Sequence, residues 1–203
     1  MTLATSRTLH LWETDITIVV GQPIAHPRQA MYAGVNARAT LASGTAGALR
    51  LRGGAEVDRA LRALAPLSLG RAYAVQPAEL ATLGVEILLF GVTSRDTASA
   101  PRREHVVDAL TDALRQAAER GIRSITLPEI GTQLEGTSLE AAAGVLGAVL
   151  ADHLRRSRVT REVVVAGPHL TYLRSLRDHL LQAGGRDVAV AVPDVDEDGA
   201  IDD

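Results

Sequence analysis

The chain contains no cysteine and no lysine, and it has few aromatic residues. All 21 of its Lys/Arg residues are arginine. Without cysteine, neither a disulfide scaffold nor a thiolate zinc site can form. Without lysine, Schiff-base chemistry and the phosphate-binding lysine of P-loop enzymes are excluded. Because aromatic residues make up only 2% of the chain, its core must consist mainly of leucine, valine, isoleucine and alanine.

Long apolar runs are also missing. No run approaches the ~18 residues that a membrane helix needs, and the first residues lack the apolar core of a secretory signal. Of the 203 residues, 46% are hydrophobic and 22% are charged, which is typical of a globular protein. We therefore expect a cytoplasmic protein without a membrane partner, folded as a single domain over residues 1–192.

The net charge of −3 is unevenly distributed along the chain. Six acidic residues lie in an acidic C-terminal tail, residues 193–203, and the rest of the chain has 21 basic and 18 acidic residues. So small a positive excess does not favour a nucleic-acid partner. Asp194, Asp196 and Asp198 match the start of an EF-hand calcium loop, but the glutamate at its twelfth position is missing. We favour a solvated tail, and we predict neither a metal site nor a cofactor.

Short apolar segments alternate with longer segments of helical periodicity. This order predicts βαβ crossovers and a three-layer α/β/α sandwich with a mixed, largely parallel central sheet. The first two strands, with Thr14 and Asp15 between them, are expected to form an antiparallel hairpin. Strands are expected at His10–Glu13, Ile16–Val20, Met31–Val35, Ala72–Gln76, Glu86–Val92, Ser124–Leu127, Val163–Ala166 and Val188–Val192, and helices at Val57–Leu64, Glu104–Arg120, Leu139–Leu154 and Leu170–Gln182.

Two glycine-containing loops follow predicted strands and lead into helices. The first includes Gly44 and Gly47, and the second runs from Gly131 to Gly136. Ligands of parallel sheets bind at the carboxyl ends of the strands, where backbone amides and helix N-termini attract anions. Two such loops on neighbouring strands predict a diphosphate site between them, although each loop alone is also an ordinary strand-to-helix turn.

The order of these motifs resembles the macro domain family, whose members bind ADP-ribose and related nucleotides. Gly21-Gln22-Pro23-Ile24 stands where the family has Gly-Asp-Ile-Thr, and Val35-Asn36-Ala37-Arg38-Ala39 where it has Val-Asn-Ala-Ala-Asn. The loop from Gly44 to Leu49 is similar to Gly-Gly-Val-Ala-Gly-Ala-Ile. The segment Ser124-Ile-Thr-Leu-Pro-Glu-Ile-Gly-Thr132 closely matches Ser-Ile-Ala-Phe-Pro-Ala-Ile-Gly-Thr.

The resemblance implies a binding site for ADP-ribose, with the phosphates between the two loops and Asn36 at the distal ribose. The implied ligand-binding residues are Gln22, Pro23, Ile24, Asn36, Gly44, Thr45, Ala46, Gly47, Gly131, Thr132, Gln133, Leu134, Glu135, Gly136 and Ala166. An ADP-ribosylated protein is a further implied partner, and a homo-oligomer is compatible with this interpretation.

Three departures from the family pattern fall on contact positions. Gln22 replaces the acidic residue that receives the adenine amino group, Ala39 replaces the second asparagine, and Ala166 stands at an often aromatic position that stacks on adenine. Alanine at position 39 can neither hydrogen-bond nor orient a water. We therefore expect binding without catalysis. Two alternatives remain: an ADP-ribosyl hydrolase that uses Glu135 as base, or a structural descendant that has lost nucleotide binding.

Overall fold

A computed structural model describes residues 7–188 of the chain. These residues form an eight-stranded mixed sheet and five α-helices, and the expected three-layer α/β/α architecture is confirmed. The strands are β1 (Arg7–Leu11), β2 (Thr14–Val20), β3 (Ala30–Asn36), β4 (Ala72–Val75), β5 (Ile87–Ser94), β6 (Ser124–Pro128), β7 (Glu162–Gly167) and β8 (Arg186–Val188). The helices are α1 (Gly44–Gly53), α2 (Ala55–Arg62), α3 (Arg103–Glu119), α4 (Leu139–Arg156) and α5 (Leu170–Gln182).

The strand order in the sheet is β4-β5-β3-β6-β7-β2-β1-β8. The five strands from β5 to β2 pair in parallel, so their carboxyl ends share one edge of the sheet. At the two sides, β4 pairs antiparallel with β5, and β1 pairs antiparallel with both β2 and β8. The loops that follow β2, β3, β5, β6 and β7 therefore emerge at the same edge.

Alternate residues of β3 show how the layers are held together. Met31, Ala33 and Val35 pack with Leu49 of α1 and residues of α2 on one face of the sheet. Tyr32 belongs to the larger core on the opposite face, which includes residues of α3, α4 and α5. Both faces of the central strands are thus covered, which explains why their sequences are almost continuously apolar.

The first hairpin differs from the prediction in the position of its turn. The turn lies at Trp12 and Glu13, and the expectation of Thr14 and Asp15 is wrong. Thr14 is instead the first residue of β2, where its hydroxyl is buried and donates to the carbonyl of Thr160 at 2.8 Å. Trp12 takes the left-handed conformation (φ 54°) that this two-residue turn requires.

The final strand and the tail are only partly covered by the described residues. β8 ends at Val188, so most of the predicted strand Val188–Val192 lies outside them, as do the candidate calcium residues Asp194, Asp196 and Asp198. The boundary between a domain ending at residue 192 and a tail remains a prediction. Among residues 7–188, no helix combines the length and apolar character needed to cross a membrane.

Candidate functional site

A cavity of about 470 Å³ opens at the carboxyl edge of the parallel strands. It extends across the strand ends from the loop after β5, past β3 and β6, to the loops after β7 and β2. Its lining residues are Pro23, Tyr32, Gly34, Val35, Asn36, Thr40, Ala42, Ser43, Gly44, Thr45, Ala46, Thr93, Ser94, Asp96, Thr97, Ser99, Pro101, Val106, Pro128, Glu129, Ile130, Gly131, Thr132, Gln133, Ala166, Gly167, Pro168 and His169. Its volume lies within the range of about 300–1,000 Å³ that is usual for small-molecule sites.

The first glycine loop is held at its base by Asn36. The Asn36 side-chain oxygen accepts hydrogen bonds from the N–H groups of Arg38 at 3.0 Å and Thr40 at 3.2 Å. This leaves the Asn36 Nδ2 group without a partner among the described residues. The loop ends at the extended Ser43, and α1 begins at Gly44, whose φ of 58° favours glycine.

The N-terminus of α1 opens directly into the cavity. Ser43, which is the N-cap, makes no side-chain capping bond, and Gly44, Thr45 and Ala46 follow it along the cavity wall. The first amides of a helix have no partner within the helix. Three N–H groups without a partner in the helix, together with the positive end of the helix dipole, therefore lie at this part of the cavity.

The second glycine loop is fixed by a buried tyrosine. The Tyr172 hydroxyl accepts from the N–H of Ile130 and donates to its carbonyl, both at 2.9 Å. Gly131 then turns the chain with a φ of 85°, and the Leu134 side chain is buried in the core beneath the loop. The N–H groups of Gly131 and the two residues after it have no partner among the described residues.

A carboxylate and an imidazole meet where β6 and β7 end. Glu129 Oε1 accepts from the backbone N–H of His169 at 2.7 Å, and Glu129 Oε2 lies 2.5 Å from His169 Nδ1. The Glu129 side chain is only 4% exposed, whereas that of His169 is 50% exposed. Glu129 lies across Gly167, where a Cβ atom would come within 2.1 Å of its Cγ. Glycine at position 167 is therefore required for this pair.

The opposite end of the cavity, after β5, is rich in hydroxyl groups. The Ser99 hydroxyl donates to Asp96 Oδ1 at 2.7 Å, and the Ala98 N–H donates to the same oxygen at 3.1 Å. The hydrogen bond from the Ser99 hydroxyl, together with the one from the Ala98 N–H, holds the pKa of Asp96 below its ordinary value of 3.8. Asp96 is thus an anionic acceptor at neutral pH, with Ser94 and Thr97 beside it in the cavity wall.

The cavity also reaches along one face of the sheet. Gly34 is exposed although it lies within β3, because it has no side chain to fill the space above it. Tyr32 and Val106 line this deeper part. The Tyr32 hydroxyl is buried and has no hydrogen-bond partner among the described residues. Sequence reasoning missed this part, since it depends on which side chains oppose each other across the sheet.

The described side chains that line the cavity include no arginine that could bind an anion. Besides the buried Tyr32, the described lining residues include Asp96, Glu129 and His169, and no arginine is among them. The side-chain charge of the cavity is therefore not positive. An anion would have to be held by the N–H groups of the two loops and by the dipole of α1.

The structure brings many of the predicted site residues together. The predicted residues that line the cavity are Pro23, Asn36, Gly44, Thr45, Ala46, Gly131, Thr132, Gln133 and Ala166. Gln22, Ile24, Gly47, Leu134, Glu135 and Gly136 are not among the lining residues. Two of these six are buried, Gly47 in α1 and Leu134 beneath the second loop, and Glu135 is exposed to solvent. Contact with a ligand remains a prediction for all of them.

Ala39, at the position of the second asparagine in the sequence motif, is also outside the cavity lining. Its side chain is fully buried in the core beside α1, and its φ is 57°. Asparagine is more common than alanine in this left-handed conformation. The backbone shape typical of asparagine is thus retained at Ala39 without the polar side chain.

Comparisons with known proteins agree with this architecture. The family model described as "Macro domain" matches residues 33–146. The Oceanobacillus iheyensis macrodomain, in a structure with ADP, is 17% identical with a TM-score of 0.75, covering 89% of this chain and 97% of that one. The Trypanosoma brucei macrodomain, in complex with ADP-ribose, is 16% identical with a TM-score of 0.66, covering 79% and 68%. At such identities the likeness shows the fold. No curated protein matches the chain.

Proposed function

The chain belongs to the macro domain family, and we propose that it binds ADP-ribose or a related nucleotide through backbone N–H groups of its two glycine loops. One observation carries the proposal: the N-terminus of α1 and the turn after Gly131 line the same open cavity. The macrodomains of similar fold include structures with ADP and with ADP-ribose.

The middle of the cavity suits a pyrophosphate. Residues 44–46 of α1 line it on one side and residues 131–133 of the second loop on the other, and we infer that their N–H groups bind the phosphates. Backbone donors do not depend on side-chain identity, so this recognition survives the changes at Gln22 and Ala39. A helix N-terminus adds a favourable field for negative charge.

The ends of the cavity suit the two remaining parts of such a ligand. At the β5 end, Asn36 Nδ2 and the hydroxyls of Ser94 and Ser99 offer hydrogen bonds to a ribose. At the β7 and β2 end, Pro23 offers apolar surface to a base, whereas Ala166 lines the cavity but is fully buried.

We propose binding without catalysis. The alanine at position 39 offers no polar group and is packed in the core. Glu135, the candidate base of the hydrolase alternative, is exposed and is not among the cavity-lining residues. Neither residue is in a position to activate a water beside the ligand. An ADP-ribosylated protein remains a proposed partner, recognised through its ADP-ribosyl group.

The affinity is expected to be modest. A lost polar or stacking contact costs on the order of 1–3 kcal/mol, and three family contacts differ at Gln22, Ala39 and Ala166. Since 1.4 kcal/mol is tenfold in affinity, these losses would move a micromolar binder towards the millimolar range. Titrations therefore need ADP-ribose at up to about 1 mM or more.

The test uses a charge placed at the phosphate position. Thr45 lies in the first turn of α1 and lines the cavity. In Thr45→Glu the new carboxylate repels a phosphate, so calorimetry should show at least a tenfold loss of ADP-ribose affinity. The same carboxylate favours the helix N-terminus, so the melting temperature should not fall. The matched control is Thr45→Gln, of equal size and no charge, which should bind within about threefold of the wild type.

Each contrary result identifies a different error. If neither ADP-ribose nor ADP gives heat at concentrations up to about 10 mM, roughly tenfold above a millimolar dissociation constant, the nucleotide proposal fails and the structural alternative stands. If Thr45→Glu binds as well as the wild type, the phosphates do not lie at α1. Turnover of an ADP-ribosylated protein that disappears in Glu135→Ala would support the hydrolase alternative and overturn binding without catalysis.

A further inference from the structure

The Glu129–His169 pair is a built feature of the cavity for which the family resemblance gives no counterpart. The matching family segment has alanine where this chain has Glu129. The pair joins the ends of two neighbouring strands, and Gly167 provides the space for the carboxylate. A buried carboxylate with two specific contacts, beside a half-exposed imidazole, suggests that the orientation of the ring matters.

The contacts of Glu129 determine which nitrogen of His169 is free. An ionised carboxylate can only accept hydrogen bonds, so the proton of a neutral His169 ring lies on Nδ1, facing Glu129 Oε2. The second carboxylate oxygen accepts from the backbone N–H of His169, which fixes the carboxylate in turn. Nε2 of the neutral ring is then a hydrogen-bond acceptor. It has no partner among residues 7–188.

The strand order places this acceptor at one end of the proposed ligand. His169 follows β7, and Pro23 follows β2, the next strand of the sheet. The two glycine loops lie on the other side of β7, after β3 and β6. The apolar surface of Pro23 is at the same end as His169, whereas hydroxyl groups predominate at the β5 end. His169 is therefore at the end that suits a base.

We propose that His169 Nε2, held as an acceptor by Glu129, receives a hydrogen bond from the exocyclic 6-amino group of a purine. His169 would thus select an aminopurine over a 6-oxopurine and take the role that Gln22, outside the cavity lining, does not fill. Glu129 is a positioning residue, because it acts through the tautomer of His169. The proposal rests on the proposed function, since it assigns the base end of the same site.

The experiment compares ADP with inosine diphosphate, which has a 6-oxo group. Calorimetry at about pH 8 should show the wild type binding ADP about tenfold more tightly than inosine diphosphate. His169→Phe keeps a flat ring without nitrogen, and the preference should fall to within about twofold. His105→Phe is the matched control, because His105 lies near a glutamate on α3 outside the cavity lining and should leave the preference unchanged.

Glu129→Gln provides the more discriminating result. The side-chain oxygen of the glutamine can still accept from the backbone N–H of His169. Its NH₂ group donates to Nδ1 of the ring, which must then be unprotonated, so the proton of the neutral ring lies on Nε2. Nε2 then donates, so the variant should prefer inosine diphosphate over ADP by several-fold. A purely structural role of Glu129 would weaken both nucleotides equally, and that result would overturn the proposal.

The outcomes separate this proposal from the function on which it rests. If ADP and inosine diphosphate bind the wild type equally, or if inosine diphosphate binds better, the assignment of His169 is wrong while nucleotide binding stands. If neither ADP nor ADP-ribose binds, the proposed function itself fails. Thermal melts of the three variants identify any loss of binding that comes from unfolding.

Discussion

Removing the hydroxyl of Tyr32 should stabilise the protein. Tyr32 is 1% exposed, and its hydroxyl has no hydrogen-bond partner among the described residues. Burial also raises the pKa of Tyr32, so the phenol stays protonated and its O–H remains a donor without an acceptor. The group lies over Gly91, where a Cβ atom would approach it to 2.1 Å. Folding therefore removes this hydroxyl from water without compensation.

The expected gain follows from two opposing contributions. An unpaired buried hydroxyl costs about 1–3 kcal/mol, and Tyr32→Phe removes that cost. The lost oxygen gives up packing contacts and leaves a small void, at about 0.5–1 kcal/mol. The net change is a gain of about 1 kcal/mol in the free energy of unfolding, or roughly 2–4 °C in melting temperature for a protein of this size.

Tyr172→Phe is the matched control for this substitution. The same atom is removed, but the Tyr172 hydroxyl makes two hydrogen bonds at 2.9 Å to the main chain of Ile130. Its loss leaves a buried N–H and carbonyl unsatisfied, which should cost about 1–3 kcal/mol. Urea unfolding of both variants, followed by circular dichroism, gives the two free energies. A loss of 1 kcal/mol or more in Tyr32→Phe would refute the reasoning, because it would show that the hydroxyl is bonded in the folded protein.

Two further predictions concern a buried carboxylate and the depth of the cavity. Burial acts to raise the pKa of Asp112, but the Ala72 N–H and the Arg115 and Arg71 guanidinium groups outweigh it and hold that pKa below 3.8. Asp112→Asn should therefore lower the free energy of unfolding by about 1 kcal/mol near neutral pH. In urea titrations, the difference in this free energy between wild type and variant should shrink as the pH falls below about 4. A difference that persists undiminished to pH 2 would contradict this explanation. In Gly34→Val, the new side chain enters the cavity from a strand position whose Cβ would meet only Thr93, at 3.8 Å. ADP-ribose affinity in calorimetry should fall at least tenfold with no loss of melting temperature, and unchanged affinity would show that the ligand does not reach Gly34.

The sheet could be predicted from the sequence where its strands are covered on both faces. β5 and β7 are nearly continuous apolar segments for that reason. The three residues of β8 are exposed and lack a continuous apolar pattern, so the sequence does not indicate where this strand begins and ends. The predicted position of the hairpin turn is wrong because tryptophan, which takes the left-handed conformation at Trp12, is not a typical turn residue. Strand pairing and solvent exposure decide such details.

The two glycine loops could be predicted because glycine and helix-start residues are local signals. The Glu129–His169 pair could not be predicted in the same way, since its members are 40 residues apart and meet only because β6 and β7 are neighbours. The deep part of the cavity likewise depends on Gly34 of β3 lying close to Val106 of α3, which is 72 residues away in the sequence. Long-range register, which one sequence does not specify, produces both features.

The central claim is that a pyrophosphate is held by backbone N–H groups of both glycine loops. An amide-resolved NMR titration of the ¹⁵N-labelled protein with ADP-ribose tests it most directly. The account predicts that the largest shifts, saturating together, occur at Gly44, Thr45, Ala46, Gly131, Thr132 and Gln133. Saturable shifts confined to one loop, or to residues away from the cavity, would contradict it.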